Sequence, residues 1–322
     1  MSPSKQILVT GGAGYIGSHV CKALAQKGYE PITLDNLSLG HAWAVKWGPL
    51  IEGNCGDQIL LRKIFSSYNI EGVIHLAALS NVRESHQNPL GYYQNNVSAT
   101  LSMLEMLKEQ DISYFVFSST CAVYGMPELI PIDETHSKKP ISPYGWSKWM
   151  AEKILQESGV HVALLRYFNA AGADPDGEIG ESHTPESHLI PLLIETALGK
   201  RDHFVLNGND HATEDGTPVR DFIHVTDLAE AHVKALEALF EKKESLTLNL
   251  GTGQGYSIKE VINQIEINKK CTIPIVEGKQ QCGDPPILIA DFKKALKTLN
   301  WKPKLSNLST IIETAWNWHS KQ

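Results

Sequence analysis

The feature that most limits what this chain can become lies at its start. Ile7-Leu8-Val9-Thr10 is a short apolar, β-branched run of the kind that forms a buried strand. It passes directly into Gly11-Gly12-Ala13-Gly14-Tyr15-Ile16-Gly17, and Ser18 to Lys27 then carries helical periodicity. Strand, glycine turn and helix in that order is the setting a dinucleotide fingerprint requires. Gly11 allows the tight turn, Gly14 lets the backbone approach a pyrophosphate, and Gly17 lets helix and sheet pack closely. The phosphates then lie on unpaired amides at the positive end of the helix. The spacing is Gly-x-x-Gly-x-x-Gly rather than Gly-x-Gly-x-x-Gly, so the motif needs support from elsewhere in the chain.

The next strand supplies it. Pro31-Ile32-Thr33-Leu34 ends at Asp35-Asn36, about 20 residues past the glycines, where a carboxylate accepts hydrogen bonds from the adenosine ribose. A negative charge there repels a 2′-phosphate and favours NAD over NADP. Gly56-Asp57, after another short strand, is a candidate for the adenine edge.

Strand and helix go on alternating through the first half. Gly72 to Leu76, Tyr114 to Phe117 and Val160 to Arg166 read as strands, and Leu90 to Lys108 as one long helix. The pattern predicts an α/β fold, a doubly wound parallel sheet of Rossmann type with its site outside the strand carboxyl ends. Ala173 to Thr184, rich in Gly, Pro, Asp and Glu, reads as a loop. Thr247 to Leu250, followed by Gly251-Thr252-Gly253, reads as a strand returning to the sheet. The predicted division is a dinucleotide-binding domain over 1–170, rejoined by 220–250, and a smaller, discontinuous substrate domain from 171–219 and 251–322.

The second chemical feature is Thr120, Tyr144 and Lys148. Tyr144 and Lys148 stand four apart in Ser142-Pro143-Tyr144-Gly145-Trp146-Ser147-Lys148, and so share one helix face. A free phenol titrates near pH ~10 and is a poor base at neutral pH. A working value near ~7 requires roughly 4 kcal/mol, about what one cation ~4 Å away offers at an effective dielectric near 20. Thr120, ending an apolar strand, adds a hydroxyl that can relay a proton to the phenolate.

Composition closes off other classes. A net charge of −7 argues against nucleic-acid binding, and no apolar run is long enough to span a membrane. The segment Met1 to Gln6 enters the first strand directly, giving the expectation of no signal peptide. Five scattered cysteines without Cys-x-x-Cys spacing and 13 histidines without a His-x-x-x-His pair suggest a reducing cytoplasm and no metal site.

Taken together, the residues resemble the UDP-glucose 4-epimerases of the extended short-chain dehydrogenase/reductase family, over nearly the whole chain. The runs that carry the resemblance are Thr10 to His19, Tyr92-Tyr93-Gln94-Asn95-Asn96-Val97, Arg166-Tyr167-Phe168-Asn169 and Val219 to Val225, in order. The resemblance implies bound NAD, a UDP-hexose and a homodimer. Tyr144 would take the 4-hydroxyl proton through or beside Thr120, and Lys148 would hold the nicotinamide ribose. Cofactor positions implied are Gly11, Gly14, Tyr15, Ile16, Gly17, Asp35, Asn36, Leu37, Ser38 and Gly40, then Asp57, Gln58, Leu76, Ala77, Ala78, Ser80, Asn95 and Phe168. Asn169, His188, Leu189, Arg220 and Asp284 match positions around the UDP-sugar, together with Thr120 and Tyr144. Related dehydratases and decarboxylases carry an acid just after the catalytic Thr or Ser; here Cys121 and Ala122 follow Thr120, so elimination lacks its acid.

The chain departs from the family pattern at several points. Gln281 stands where an Arg usually grips the diphosphate, exchanging a charge-assisted contact for a neutral one. Arg83 replaces a small residue, and reads either as a solvated loop residue or as a relocated phosphate or carboxylate contact. Leu288 replaces a large Tyr often found in enzymes that reject N-acetylated sugars, which leaves acetamido sugars open. Ser80 and His188 read as lineage differences. A UDP-pentose or UDP-uronate 4-epimerase would share every catalytic residue. A catalytically silent NAD-binding regulator is the alternative of another class, against which the intact Thr120, Tyr144 and Lys148 set argues.

Overall fold

Alternate residues of the first strand, β1 (Gln6–Thr10), enter opposite sides of one sheet, and the whole fold is organised around that division. The computed structural model describes residues 4–279 and 284–322. Successive β/α units follow β1 in chain order: α1 (Tyr15–Gln26), β2 (Glu30–Asp35), β3 (Leu50–Glu52), α2 (Gln58–Ser67) and β4 (Ile70–His75). Next come α3 (Val82–Gln87), α4 (Pro89–Tyr93), α5 (Ala99–Glu109), β5 (Tyr114–Thr120), α6 (Pro143–Glu157) and β6 (His161–Tyr167). After β7 (Asn169–Ala171), α7 (Leu189–Ala197), β8 (Phe204–Asn207), β9 (Val219–His224) and α8 (Val225–Lys242), the strand β10 (Leu246–Leu250) returns to the sheet. The chain closes with β11 (Gly255–Ser257), α9 (Ile258–Lys269), β12 (Ile275–Gly278), β13 (Ile287–Leu288), α10 (Lys293–Leu299) and α11 (Leu308–His319).

The seven-stranded sheet is parallel throughout, in the order β10-β6-β5-β4-β1-β2-β3. This is the doubly wound Rossmann arrangement that the alternating pattern predicts. Ile7 and Val9 pack with Val20 and Leu24 of α1 and with Leu228, Leu236 and Leu239 of α8. Leu8 faces the other way, into Leu61, Met103, Leu107 and Leu155 of α2, α5 and α6. Both faces are therefore dry, which explains why these strands are near-continuous apolar runs. Ala295, Leu299 and Trp301 also join the α1/α8 side, so the stretch around α10 packs on the large sheet.

A second, smaller unit is built around β9. It pairs with β11 antiparallel and with β13 and β7 in parallel, while β8 and β12 form a separate two-stranded ribbon. Ile190, Leu193, Ile265 and Ile311 fill a core between α7, α9 and α11. No regular element lies between β7 and α7, in agreement with the loop reading of Ala173 to Thr184.

The long helix predicted from Leu90 to Lys108 is broken. Between α4 and α5, residues Gln94–Ser98 form a π-helical turn. Its cause is visible at Asn96, whose side chain accepts from Leu79 N (2.9 Å), donates to Leu79 O (3.0 Å) and donates to Ser147 Oγ (2.9 Å). An even 3.6-residue repeat does not accommodate those bonds, and one extra residue in the turn re-aims the side chain.

Candidate active site

The glycine turn is shaped by its own close contacts. Gly11 has φ +72°, and a Cβ there would stand 2.7 Å from Ala77 N. At Gly17 a Cβ would stand 2.0 Å from Gly11 O. Gly17 is therefore required by contact within the turn itself, where the sequence reading invoked helix–sheet packing. Asp35 ties the turn to β2: Ala13 N donates to Oδ2 (3.0 Å) and Leu37 N to Oδ1 (2.9 Å). Each carboxylate oxygen keeps a further lone pair for a ligand hydroxyl.

These elements open into one cleft. One wall is the turn itself, with Gly11, Gly14, Tyr15, Ile16 and Gly17; Asp35, Asn36, Ser38 and Gly40 follow from the end of β2. Opposite stand Leu76, Ala77, Ala78 and Ser80 after β4, with Asn95 from the π turn. Tyr144, Lys148, Tyr167, Ser118, His183 and His188 line it as well. The cleft thus unites the dinucleotide motif with the Tyr–Lys pair, two features separated by more than a hundred residues.

Leu37, Asp57, Gln58 and Phe168 do not line it. Leu37 adopts φ 56° beside Asp35. Asp57 caps α2, accepting from Ile59 N (2.9 Å) and Leu60 N (3.1 Å), and Gln58 donates to Glu105 (2.8 Å). Phe168 packs with Cys121, Leu288 and Ala290 in a small apolar cluster. Gly53, Asn54 and Cys55 line the cleft instead, a stretch that carries no recognisable sequence signal.

Tyr144 and Lys148 owe their placement to the start of α6. Ser142 caps it, accepting from Gly145 N (3.1 Å), and Pro143 occupies the first turn, where its missing N–H costs nothing. Both side chains are buried. Burial pushes the Tyr144 phenol well above its ordinary value, nearby Tyr167 adds to the effect, and a hydrogen bond with Thr120 opposes it. Burial also draws Lys148 down to about 7, against the pull of Glu152. Lys148 Nζ donates to Ser118 O (2.9 Å) and lies 4.8 Å above the Phe117 ring. The protein alone therefore does not show Lys148 lowering the phenol. Desolvation dominates both groups and outweighs their mutual attraction.

A third residue on this helix face went unread. Glu152 lies four beyond Lys148, fully buried, and grips Arg166 through Nε–Oε1 (2.9 Å) and Nη2–Oε2 (2.5 Å). Ser119, next to Thr120, donates its hydroxyl to the same carboxylate. Arg166 Nη1 donates to the Tyr124 hydroxyl (3.1 Å), which donates to Asn249 (2.6 Å). Arg166, matched in sequence as part of a family motif, is a buried tie between β6 and α6.

The residues expected around a UDP-sugar fall into two groups. His188 lines the cleft, and Leu189 opens α7 beside it. Arg220 and Asp284 form an ion pair (Nη2–Oδ1 2.5 Å) on β9 and just before β13, and Asn169 pairs with Phe222 on the neighbouring strand β7. Leu288, opposite Arg220, is buried against Phe168 and Cys121. Gln281 lies outside the described residues. Arg83 is exposed in the first turn of α3, behind its Asn81 cap, and is not among the cleft residues.

Around His188 the structure gathers a set that no helical His-x-x-x-His spacing announces, because it is spaced for a loop: Glu181-x-His183-x-x-Glu186-x-His188. Burial works against charge on His183, but the neighbouring Glu181 and Glu186 outweigh it and push the ring up to about 10. Burial would raise Glu181, yet His188 and His183 hold it down at about 2.

Comparison with known proteins points one way. Residues 7–251 match the NAD dependent epimerase/dehydratase family. The chain is 48% identical to a UDP-glucose 4-epimerase of Rhizobium meliloti (strain 1021), over 99% of this chain and 98% of that one. It is similar to the crystal structure of a UDP-glucose 4-epimerase from Brucella ovis in complex with NAD, with TM-score 0.94 and 45% identity over 97% of this chain and 98% of that one. It is similar too to a UDP-glucose 4-epimerase from Thermotoga maritima with UDP-glucose, with TM-score 0.86 and 32% identity over 98% and 99% of the two chains.

Proposed function

This chain belongs to the NAD dependent epimerase/dehydratase family, and from that premise we propose that it is an NAD-dependent 4-epimerase of a UDP-hexose, interconverting UDP-glucose and UDP-galactose. The observation that carries the reading is the cleft itself, in which the glycine turn and Asp35 face Tyr144 and Lys148. The chain fits NAD on its own evidence: a turn that admits no Cβ at Gly11, and a carboxylate, not an arginine, at the end of β2. NAD, when bound, supplies reversible oxidation at the sugar's C4. The protein's own part is to move one proton. Tyr144 takes it from the 4-hydroxyl and returns it, with the Thr120 hydroxyl in the same hydrogen-bonded line. Lys148 orients the nicotinamide ribose. Gly14, Tyr15, Ile16, Ser80 and Asn95 hold the cofactor, while Asn169, His188, Leu189, Arg220 and Asp284 hold the UDP-sugar.

The residues after Thr120 support epimerisation over elimination. Cys121 is buried with its thiol pushed up to about 12, and Ala122 has no proton to give. The exposed place of Arg83 gives no support to a carboxylated sugar.

We place the cofactor on 1–170 with α8 and β10, and the sugar mainly on 171–219 and 251–322 together with β9, which centres the smaller unit. We also assign the protein to the cytoplasm as a homodimer. No helix among the described residues is long and apolar enough to cross a membrane. Ile59, Leu101, Trp146 and Met150 expose apolar side chains on the helices α2, α5 and α6, a face suited to a second copy. Light scattering of the purified protein tests the dimer.

The test of function is incubation with UDP-galactose and chromatographic resolution of the C4 epimers. A single equilibrium mixture should form from either epimer without net accumulation of reduced nicotinamide. Stoichiometric reduced cofactor with an oxidised sugar would show a dehydrogenase and overturn the reading.

A further inference from the structure

We propose that Glu181, His183, Glu186 and His188 form a binding site for one divalent transition-metal ion of the zinc class, at the rim of the cleft. The four side chains each present one ligand atom, all within 4.8 Å of one another. His183 Nδ1 stands 3.3 Å from a Glu181 oxygen and 3.7 Å from one of Glu186, and His188 Nδ1 stands 3.9 Å from that Glu186 oxygen. An ion held tetrahedrally at about 2.0–2.2 Å from nitrogen and oxygen requires ligand–ligand edges of roughly 3.3–3.6 Å. Three of the six edges already lie near that range, and the others are within 4.8 Å. One of these, His188 to Glu181, is a direct contact that opens as the ion enters. Two imidazoles and two carboxylates form a donor set suited to zinc and its neighbours rather than to calcium or magnesium.

A second observation points to a ligand. His183 Nδ1 is buried and makes no hydrogen bond, although it is directed between two carboxylates. Its contacts there are ion contacts of 3.3 and 3.7 Å, which coordination would replace once the proton is displaced. The loop around the site is fixed as well. Glu186 Oε1 accepts the backbone amides of Ser187 (2.7 Å) and His188 (2.9 Å), and the Glu181 backbone carbonyl accepts Trp318 Nε1 (2.8 Å).

A second group found among the described residues makes the contrast. Asp174, Asp176 and Glu178 converge too, but on the Lys22 ammonium at 2.7–2.9 Å, so their cation is part of the chain. Among the described residues no lysine or arginine is paired with Glu181 or Glu186. The groups that face Glu181 and Glu186 are the imidazoles of His183 and His188, and a bound ion displaces their protons. The ion pins the loop after β7, which carries His188 and Leu189, to the lip of the cleft.

The test is titration of chelator-treated full-length protein with zinc alone, against a chromophoric competitor, and with cobalt(II) as a spectroscopic probe. One equivalent per chain should bind, with a tetrahedral cobalt spectrum free of thiolate charge transfer. His183→Ala and Glu186→Gln should each weaken zinc binding by about 100-fold or more, since even an outer partner is worth about 10- to 100-fold. Far-UV circular dichroism reports whether each variant is folded; Asp176→Asn, in the Lys22 group, should leave binding unchanged. Absence of saturable binding, a thiolate band, or binding that survives both substitutions would overturn the proposal. The stoichiometry is read without any activity, so it stands or falls apart from the epimerase reading.

Discussion

Glu152→Gln is the perturbation whose size the structure fixes most closely. The Glu152 and Arg166 side chains are 0% and 2% exposed and meet through two charge-assisted hydrogen bonds. Gln keeps the shape and one acceptor, but turns an N–H donor toward Arg166 Nη2 and leaves the guanidinium uncompensated. Removing one partner of a buried pair costs about 3–5 kcal/mol. At about 2.1 cal/mol/K per residue, 322 residues give an unfolding entropy near 0.68 kcal/mol/K, so Tm should fall by about 4–7 °C. Differential scanning calorimetry and urea melts measure the loss. Glu152→Met with Arg166→Met should be less damaging than the sum of the two single variants. It removes both charges and leaves the Ser119 hydroxyl short of a partner, at about 1–3 kcal/mol, while the Tyr124 hydroxyl still donates to Asn249. Because Glu152 also anchors Ser119, the single variant should lower kcat more than it raises KM, through slackened register between Thr120 and Tyr144. A Tm within about 1 °C of the parent, or strict additivity in the cycle, would refute the assignment of Arg166 and Glu152 as one coupled unit.

Tyr144→Phe should retain cofactor and lose about 10²–10⁴ in kcat; near-normal turnover would mean that the proton leaves by another group. Gly17→Ala places a Cβ 2.0 Å from Gly11 O and should weaken cofactor retention at least about tenfold, measured by NAD content after gel filtration; full retention would contradict the turn geometry. Acid stability follows from His19 and His75, drawn by burial to about 3, and His224 and His232, drawn to about 4. Below about 6.5 the unfolded chain takes up protons that the native state refuses, so stability present above that pH is lost as pH falls toward 4 and 3. At pH 5 this amounts to roughly 2 kcal/mol per histidine. His183 works oppositely, its contribution complete below about 6.5 and lost as pH rises toward 10. A Tm unchanged between pH 7 and 5 would refute the neutral state of the four.

What was legible in the sequence was whatever local spacing encodes. The strand–turn–helix at Ile7 to Lys27 and the shared face of Tyr144 and Lys148 both follow from backbone periodicity, and the structure has them where the residues indicate. Glu152 continues that face at the next turn, but its meaning depends on Arg166 arriving from a different strand. The π turn was hidden because Asn96 answers to Leu79 and Ser147, not to its neighbours on the helix. The Glu181 to His188 group lies in a stretch without regular structure, where no period announces which side chains converge. Asp57 shows the converse: a carboxylate after a strand is equally good as a helix cap.

The return of β10 to the far edge of the sheet carries a consequence for how the molecule is made. Its partner β6, Ala163 to Tyr167, is complete long before Leu246 is added, and on that side of the sheet no other strand among the described residues pairs with it. At roughly 5–20 residues per second, the exposed hydrogen-bonding edge waits about 4–16 s on the ribosome for the strand that covers it. Through that interval an apolar strand with free amides and carbonyls is open to any other extended chain. A nascent chain halted before Leu246 should therefore engage chaperones or aggregate, while one released past Leu250 should not.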